Sequence, residues 1–505
     1  MKATQNATPG ATPDTTPTAA PDAGANTSPN TSPNASPNAS PPAAQHATAA
    51  ATAARNASHA SSQAAVRVDP ADAALDVRRG IVLSGFPAGA VRVRAELKHP
   101  DGSVWRSEAR FAVDAQGAVD LDRQAPSSGD WNVADAMALV WSMRRVQAPT
   151  DPERTDEVDT LAITIVADSE NGQASANAAF QQRYVVDGVT RQEVQADGLV
   201  GTVFHPAGSG PHPAIIVLNG SGGGIPRQRA ALYAAHGYTA FALGYFKAPG
   251  LPAQISRTPL EYFERALRWT RQALKPAGGF VAVTGQSRGG ELTLLLASRF
   301  PELVNAAIAY VPSAVVHGTL RAGAPGEAPD SPTWTWQGQP LRNVWENNPQ
   351  ADWTAFNRTS SDGSPVRQAP AFDTPLRNAA AVAAARIPVE RIAGPVMLIS
   401  GTDDGFWPST RFSEQIAATL AEHGHKWPVV HVRGEGAGHA IGLPNVPTTL
   451  IAKPHPVAGV VLTGGGTPLA NAQANTQSWA AVQGFLADAV AAYGKPKAQV
   501  RGADA

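Results

Sequence analysis

The chain contains no cysteine. That single absence removes disulfides, zinc-thiolate centres and a cysteine nucleophile together. It leaves the redox compartment open, because a cysteine-free chain tolerates either environment. Charge is sparse and balanced, with 16% charged residues and a formal net charge of −1. Near-neutral charge and the lack of a long basic run argue against nucleic acid as the main partner. No stretch of about 18 consecutive apolar residues occurs, so no membrane span is expected. What remains is a chain of 505 residues that is 43% hydrophobic, enough for two or three domains with ample core.

Residues 1–65 cannot contribute to that core. They are rich in Ala, Pro, Thr, Ser and Asn and carry the four-residue repeat of "SPNTSPNASPNAS", which reads as a low-complexity disordered tail or spacer. No basic segment followed by an apolar one stands near Met1, so no signal peptide is visible. An exported protein with its leader removed would look the same. The Asn-x-Ser/Thr triplets are explained by the repeat itself.

Residues 66–185 alternate in the strand manner. Val91, Val93, Ala95 and Leu97 fall on one face, with Arg92, Arg94 and Glu96 on the other, which is period two. Turns at Pro100-Asp101-Gly102 and Gln116-Gly117 come at the close spacing of a small β-sandwich, and a further strand is expected over 161–166. No convergent set of His, Asp, Glu or Ser is visible there. Trp105, Trp131 and Trp141 read as core.

From about residue 190 the pattern changes, and residues 186–495 read as a second domain. Near-continuous apolar runs at 213–220, 239–246, 279–287, 305–313, 394–404 and 427–439 suit parallel strands buried on both faces. Helical segments fall between them. In one, Leu260, Phe263, Leu267 and Leu274 share a face behind Pro259. Such alternation predicts a doubly wound α/β sheet with its active residues at the carboxyl ends of the strands. Residues 314–386 break the alternation with polar, Pro- and Trp-bearing sequence and read as a lid-like insertion. Trp334, Trp336 and Trp345 either face a substrate or form the lid's own core.

One stretch carries chemistry. Gly285-Gln286-Ser287-Arg288-Gly289 is G-x-S-x-G between a short apolar strand and a leucine-rich helix, the setting of a nucleophile elbow. A Gly/Ser turn in any parallel α/β protein would give the same five residues, so partners must decide. In an α/β-hydrolase they follow in the order serine, acid, histidine. Asp403 and Asp404 end one strand, and His439 sits on a glycine-flanked loop after the last. Asp404 is favoured over Asp403, since strand alternation lets only one face the histidine; Asp403 would then cap the helix beginning near Ser409. His423 and His425 fall at a helix end, His431 inside a strand and His455 in the C-terminal loop. For an oxyanion the backbone N–H of Arg288 is one expected donor, and Ser221 or Gly222 in the loop Asn219–Gly224 is the other. That loop lacks the lysine of a phosphate-binding P-loop.

With these residues in place, the chain resembles the family of acyl-CoA thioesterases and bile acid-CoA:amino acid N-acyltransferases. The resemblance is carried by "DAMALVWSM", "NGSGGG", "HGYTAFALGYF", "PLEYFERAL", "GQSRGGELTLLLAS", "GTDDGFWPS" and "GAGHAIGLP". It implies an α/β-hydrolase fold with an N-terminal Ig-like β-sandwich domain, and a triad of Ser287, Asp404 and His439. Conjugating members of the family are similar but use cysteine, so hydrolysis of an acyl-CoA is the reaction expected here, with no metal or organic cofactor. No basic cluster for the nucleotide stands out; Arg227, Arg229 and Lys247 are the nearest candidates. The rival readings are a carboxylesterase, lactonase or peptidase on the same scaffold, and a non-catalytic binding protein. CoA chemistry favours the cytoplasm, while the tail keeps export open. Acyl length and oligomeric state have no sequence correlate.

Overall fold

The structure, a computed structural model, describes residues 63–494 apart from 152, 153, 155, 156, 360, 361 and 363. The tail expected over residues 1–65 lies outside the described residues but for its last three. Two antiparallel-rich sheets, one of three strands and one of seven, make the first layer pair. The seven-stranded sheet is built around Leu161–Ser169, Gly89–Lys98 and Val104–Val113, each antiparallel to its neighbour. In Gly89–Lys98 the side chains of Val91, Val93, Ala95 and Leu97 are buried while Arg94 and Lys98 are exposed. Period-two patterning thus set which face closes on the core. Trp131 and Trp141 are buried as expected. Trp105 is not: it is half-buried, and its indole N–H donates to Ser103 Oγ at 2.9 Å.

The second sheet has eight strands. In chain order they are β1 (Thr190–Ala196), β2 (Leu199–His205), β3 (Ala214–Leu218), β4 (Thr239–Gly244), β5 (Val281–Gln286), β6 (Ala306–Tyr310), β7 (Val396–Gly401) and β8 (Val429–Gly434). Their spatial order is β1-β2-β4-β3-β5-β6-β7-β8, with β2 antiparallel to both neighbours and every pair from β4 to β8 parallel. This is the α/β-hydrolase arrangement. Strands β3 to β7 are buried at almost every position because helices cover both faces. The edge strand β8 is only half-buried despite its apolar sequence. The β1–β2 hairpin was not expected: it is antiparallel, with β1 polar and exposed at all but Val194, and it lies ahead of the parallel strands that mark this domain.

Five longer helices complete the layers: α1 (Arg227–Ala235), α2 (Leu260–Ala273), α3 (Arg288–Arg299), α4 (Ser409–Glu422) and α5 (Pro468–Tyr493). Side chains of α2, α3 and α4 join one buried cluster under the sheet. Those of α1 and α5 join a cluster on the other face that continues into the sandwich. Asp76 ties the layers together by accepting hydrogen bonds from His236 Nε2 and Trp479 Nε1. The insertion expected over 314–386 has its own small core, including Trp345, Phe356 and Phe372. Trp334 and Trp345 are core side chains, each giving its indole N–H to a buried acceptor, Glu291 and His317 respectively. Trp336 packs on Phe300 and Arg299. None of the three tryptophans faces the cavity at Ser287.

Candidate active site

Ser287 joins β5 to α3 in a backbone conformation that an L-residue rarely adopts, with φ 59° and ψ −119°. Such a residue costs about 1–3 kcal/mol and persists only where the surroundings over-determine it. Here its N–H donates to Tyr310 O at 2.9 Å and its carbonyl accepts from Glu291 N at 3.0 Å. The two motif glycines are required by contact. A Cβ on Gly285 would lie 2.3 Å from Gly289 O, and one on Gly289 would lie 2.4 Å from Asn219 O. The turn is therefore as tight as the sequence motif demands.

His439 follows β8, and Asp404 follows β7. The Nε2 of His439 lies 2.8 Å from Ser287 Oγ, and its Nδ1 lies 2.8 Å and 2.9 Å from the two carboxylate oxygens of Asp404. A carboxylate only accepts, so Nδ1 carries the proton and Nε2 is left to accept from the serine hydroxyl. Asp404 is oriented in turn by the N–H groups of Phe406 at 2.8 Å and Trp407 at 3.3 Å. The imidazole stacks on Phe406 at 4.5 Å between centroids and meets Trp407 edge-on at 5.7 Å. Both His439 and Asp404 are buried.

Asp403 points elsewhere. It accepts from Arg367 at 2.7 Å and from Gly466 N at 2.7 Å. It does not cap α4, whose preceding residue is Pro408 and which has no side-chain cap. The two adjacent acids thus separate by strand geometry, one toward His439 and one toward the C-terminal loop.

Of the expected oxyanion residues, Arg288 and Ser221 line a cavity of about 40 Å³ together with Ser287. Gly222 does not line it and lies instead against Pro456. Among the described residues, the backbone N–H groups of Arg288 and Ser221 have no protein acceptor. The Arg288 side chain is turned into the fold, donating to Glu291 at 2.9 Å and to the carbonyls of His317 and Gly318. Burial raises the Glu291 carboxyl above its ordinary range, against the pull of Arg288 and Trp334. This buried pair clamps the insertion to the first turn of α3.

Residues not foreseen complete the cavity. Leu320, Phe356 and Phe372 reach it from the insertion, and Phe406 and Trp407 from the loop after β7. His455, set aside as a C-terminal loop residue, is buried against Ser221 on the same cavity. The aromatic content of the insertion was the available signal, but it pointed to the tryptophans rather than the phenylalanines.

A second cavity, of about 370 Å³, lies between the sandwich and the main sheet. Apolar Leu97, Leu161 and Leu443 line it alongside Asp101, Trp105 and Arg229. The sandwich therefore does bring polar groups to a cavity, at the turn where Asp101 holds His99 and Ser103. Asn219 and Gln286, neighbours in sequence of Gly220 and Ser287, also face it, whereas Ser287 and His439 do not. Arg229 donates to Gln286 and packs over the ring of Tyr310 at 4.2 Å. Arg227 is committed to Thr202, Glu157 and Glu193, and Lys247 donates to Pro456 O at 3.2 Å. The three basic residues do not converge on one site. Among the described residues no cluster of His, Asp and Glu has the makings of a metal site, and no helix is long and apolar enough to cross a membrane.

Comparison with known proteins completes the description. The model described as acyl-CoA thioester hydrolase/BAAT N-terminal region matches residues 76–196, and that described as BAAT/acyl-CoA thioester hydrolase C terminal matches residues 258–492. Human acyl-coenzyme A thioesterase 1 is 28% identical over 404 residues, covering 79% of this chain and 90% of that protein. Mouse mitochondrial acyl-coenzyme A thioesterase 2 is 29% identical over 436 residues, covering 84% and 89%. Among solved structures, the acylaminoacyl peptidase of Pyrococcus horikoshii aligns with a TM-score of 0.37 at 12% identity, over 82% of this chain and 59% of that one.

Proposed function

We propose that this chain, which belongs to the acyl-CoA thioester hydrolase/BAAT family, hydrolyses acyl-CoA to the free acid and CoA with Ser287 as its nucleophile. The observation that carries the reading is the unbroken hydrogen-bonded series from Ser287 Oγ through His439 to Asp404. Ser287 Oγ attacks the thioester carbonyl while His439 Nε2 takes its proton, and Asp404 stabilises the imidazolium that forms. The carbonyl oxygen, now an anion, is held by the N–H groups of Arg288 and Ser221 at the positive end of α3. His439 then protonates the departing thiolate. Water activated by the same histidine releases the acid and restores Ser287.

The cavity beside Ser287 favours a short acyl group. The space beside Ser287 is small, about 40 Å³. A short acyl group of about two to four carbons fits there against Phe356, Phe372 and Phe406.

Thiol release from acyl-CoAs of graded length, with Ser287→Ala as control, tests both parts. Turnover greatest on short chains and absent from the variant is expected. A wild type that cleaves simple esters but releases no thiol would remove the thioester assignment, and a preference for long chains would remove the size assignment.

A further inference from the structure

His455 stands at the first turn residue of a hairpin formed by the antiparallel strands Ala452–Pro454 and Val461–Thr463. The hairpin lies over the glycine loop: Pro456 packs against Gly222, and the Pro456 carbonyl accepts from Lys247 Nζ at 3.2 Å. This brings His455 Nε2 to 3.1 Å from the side chain of Ser221. On its other side, Nδ1 faces the backbone N–H of Val457 at 3.3 Å and of Ala458 at 3.2 Å. Two donors aimed at Nδ1 require that nitrogen to be the acceptor.

The ring is neutral. Burial lowers its pKa to about 4, helped by the positive charges of Arg321, Lys247, Arg288 and Lys453. A neutral ring with Nδ1 accepting carries its one proton on Nε2 and donates it to Ser221 Oγ. The Ser221 hydroxyl is therefore an acceptor toward His455, and its own proton is free to point away. Among the described residues no protein acceptor takes that proton. The space it opens onto is the cavity that Ser221 shares with Ser287 and Arg288.

We propose that the Ser221 hydroxyl, oriented by the Nε2–H of His455, donates a hydrogen bond to the oxyanion formed when Ser287 attacks, beside the amide of Arg288. Ser221 is then a catalytic side chain and His455 a positioning residue that acts through it. The inference rests on Ser287 being the nucleophile but not on the substrate being a thioester.

The test is the second-order rate at which a fluorophosphonate phosphonylates Ser287 in the full chain, a reaction that places negative charge on the phosphoryl oxygen. Ser221→Ala is expected to slow it by about 10²- to 10³-fold, in line with the loss of one oxyanion donor. Ser221→Thr, which keeps the hydroxyl, should stay within about threefold of wild type and controls for folding. His455→Phe should slow the reaction by about three- to tenfold alone, yet have no further effect in a Ser221→Ala background, a non-additivity that a merely structural histidine would not produce. Labelling of Ser221→Ala at the wild-type rate overturns the proposal, as does an undiminished His455→Phe effect in the double variant. A wild type that does not label at all overturns the nucleophile and this inference together, whereas one that labels but releases no thiol from acyl-CoA overturns only the thioester reading.

Discussion

Ser287, Asp404 and His439 stand on loops that leave β5, β7 and β8 directly, whereas Leu320, Phe356, Phe372 and His455 reach the same cavity from an insertion and a hairpin that pair with no strand of the main sheet. The strand-borne group inherits its spacing from the sheet, whose hydrogen-bonded register sets where each strand ends. The other group is held outside that register, by the Arg288–Glu291 pair, the aromatic core of the insertion, the Pro456 contact on the glycine loop and backbone bonds between loops such as His439 N to Gly464 O at 2.8 Å. On the proposed reading, chemistry that tolerates little displacement rests on the rigid frame, and the walls proposed to select an acyl group rest on parts that can vary without disturbing it.

The sandwich belongs with the frame. It holds the segment that follows His439, where Thr448 N donates to Trp141 O at 2.9 Å, Gln182 Nε2 to Asn445 O at 3.0 Å and Asn445 Nδ2 to Leu75 O at 3.0 Å. A histidine loop on an edge strand needs such support from outside its own sheet.

The sharpest test of the difference lies within the frame. Ser287→Ala and His439→Ala should lower turnover by about 10⁴- to 10⁶-fold, and Asp404→Asn by about 10⁴-fold. Asp403→Asn, one residue away, should change it by less than about threefold. Steady-state thiol release on all four variants, with thermal midpoints near wild type, checks this, and equal losses at Asp403 and Asp404 would break the assignment.

On the other side of the comparison, Leu320→Gly should change selectivity more than rate. Leu320 lines the small cavity and has a φ of 53°, which glycine adopts without strain. Removing the side chain is expected to favour the longer chain by about tenfold in relative kcat/KM for each methylene newly admitted. An unchanged chain-length profile would place the acyl group elsewhere.

Breaking the tie between sandwich and sheet should affect stability and spare the chemistry. Burial opposes the charge of Asp76, but hydrogen bonds from His236 and Trp479 outweigh it and hold the carboxyl below its ordinary value of 3.8. A depressed folded value means that the carboxylate stabilises the fold above pH 3.8 and that this contribution is lost as pH falls through the lower folded value. Asp76→Asn should cost about 1.5–3 kcal/mol at neutral pH and flatten the acid limb of the thermal midpoint, with kcat unchanged. Smallest of all, Asn445→Ala should lower kcat about two- to fivefold by loosening the histidine loop, read against a KM that does not move.

Much of this was legible beforehand for local reasons. A parallel strand covered on both faces must be apolar at successive positions, so β3 to β7 announced themselves, and a half-buried antiparallel strand must alternate, as Gly89–Lys98 does. The turn around Ser287 needs glycine where backbone atoms approach within 2.4 Å of a would-be Cβ, so the motif itself records the geometry. Chain order then pointed to Asp404 and His439, each directly after a strand. Strands β1 and β2 were missed: β1 is polar and exposed at every position but Val194, β2 is tied to it as an antiparallel hairpin, and nothing local says which sheet such a hairpin joins.

Other features have no local cause. Ser221 and His455 are 234 residues apart, and neither is marked by its neighbours; their pairing exists because a hairpin folds over the glycine loop. The choice between phenylalanine and tryptophan for the cavity wall was likewise made by packing, since both residue types are apolar and either would serve a lid core. Burial, tautomer and cavity size depend on atoms brought from distant parts of the chain, and a side chain acquires them only once the tertiary structure has closed around it. Sequence alone determined the parallel strands, the elbow and the chain order of Ser287, Asp404 and His439; tertiary closure decided what surrounds them.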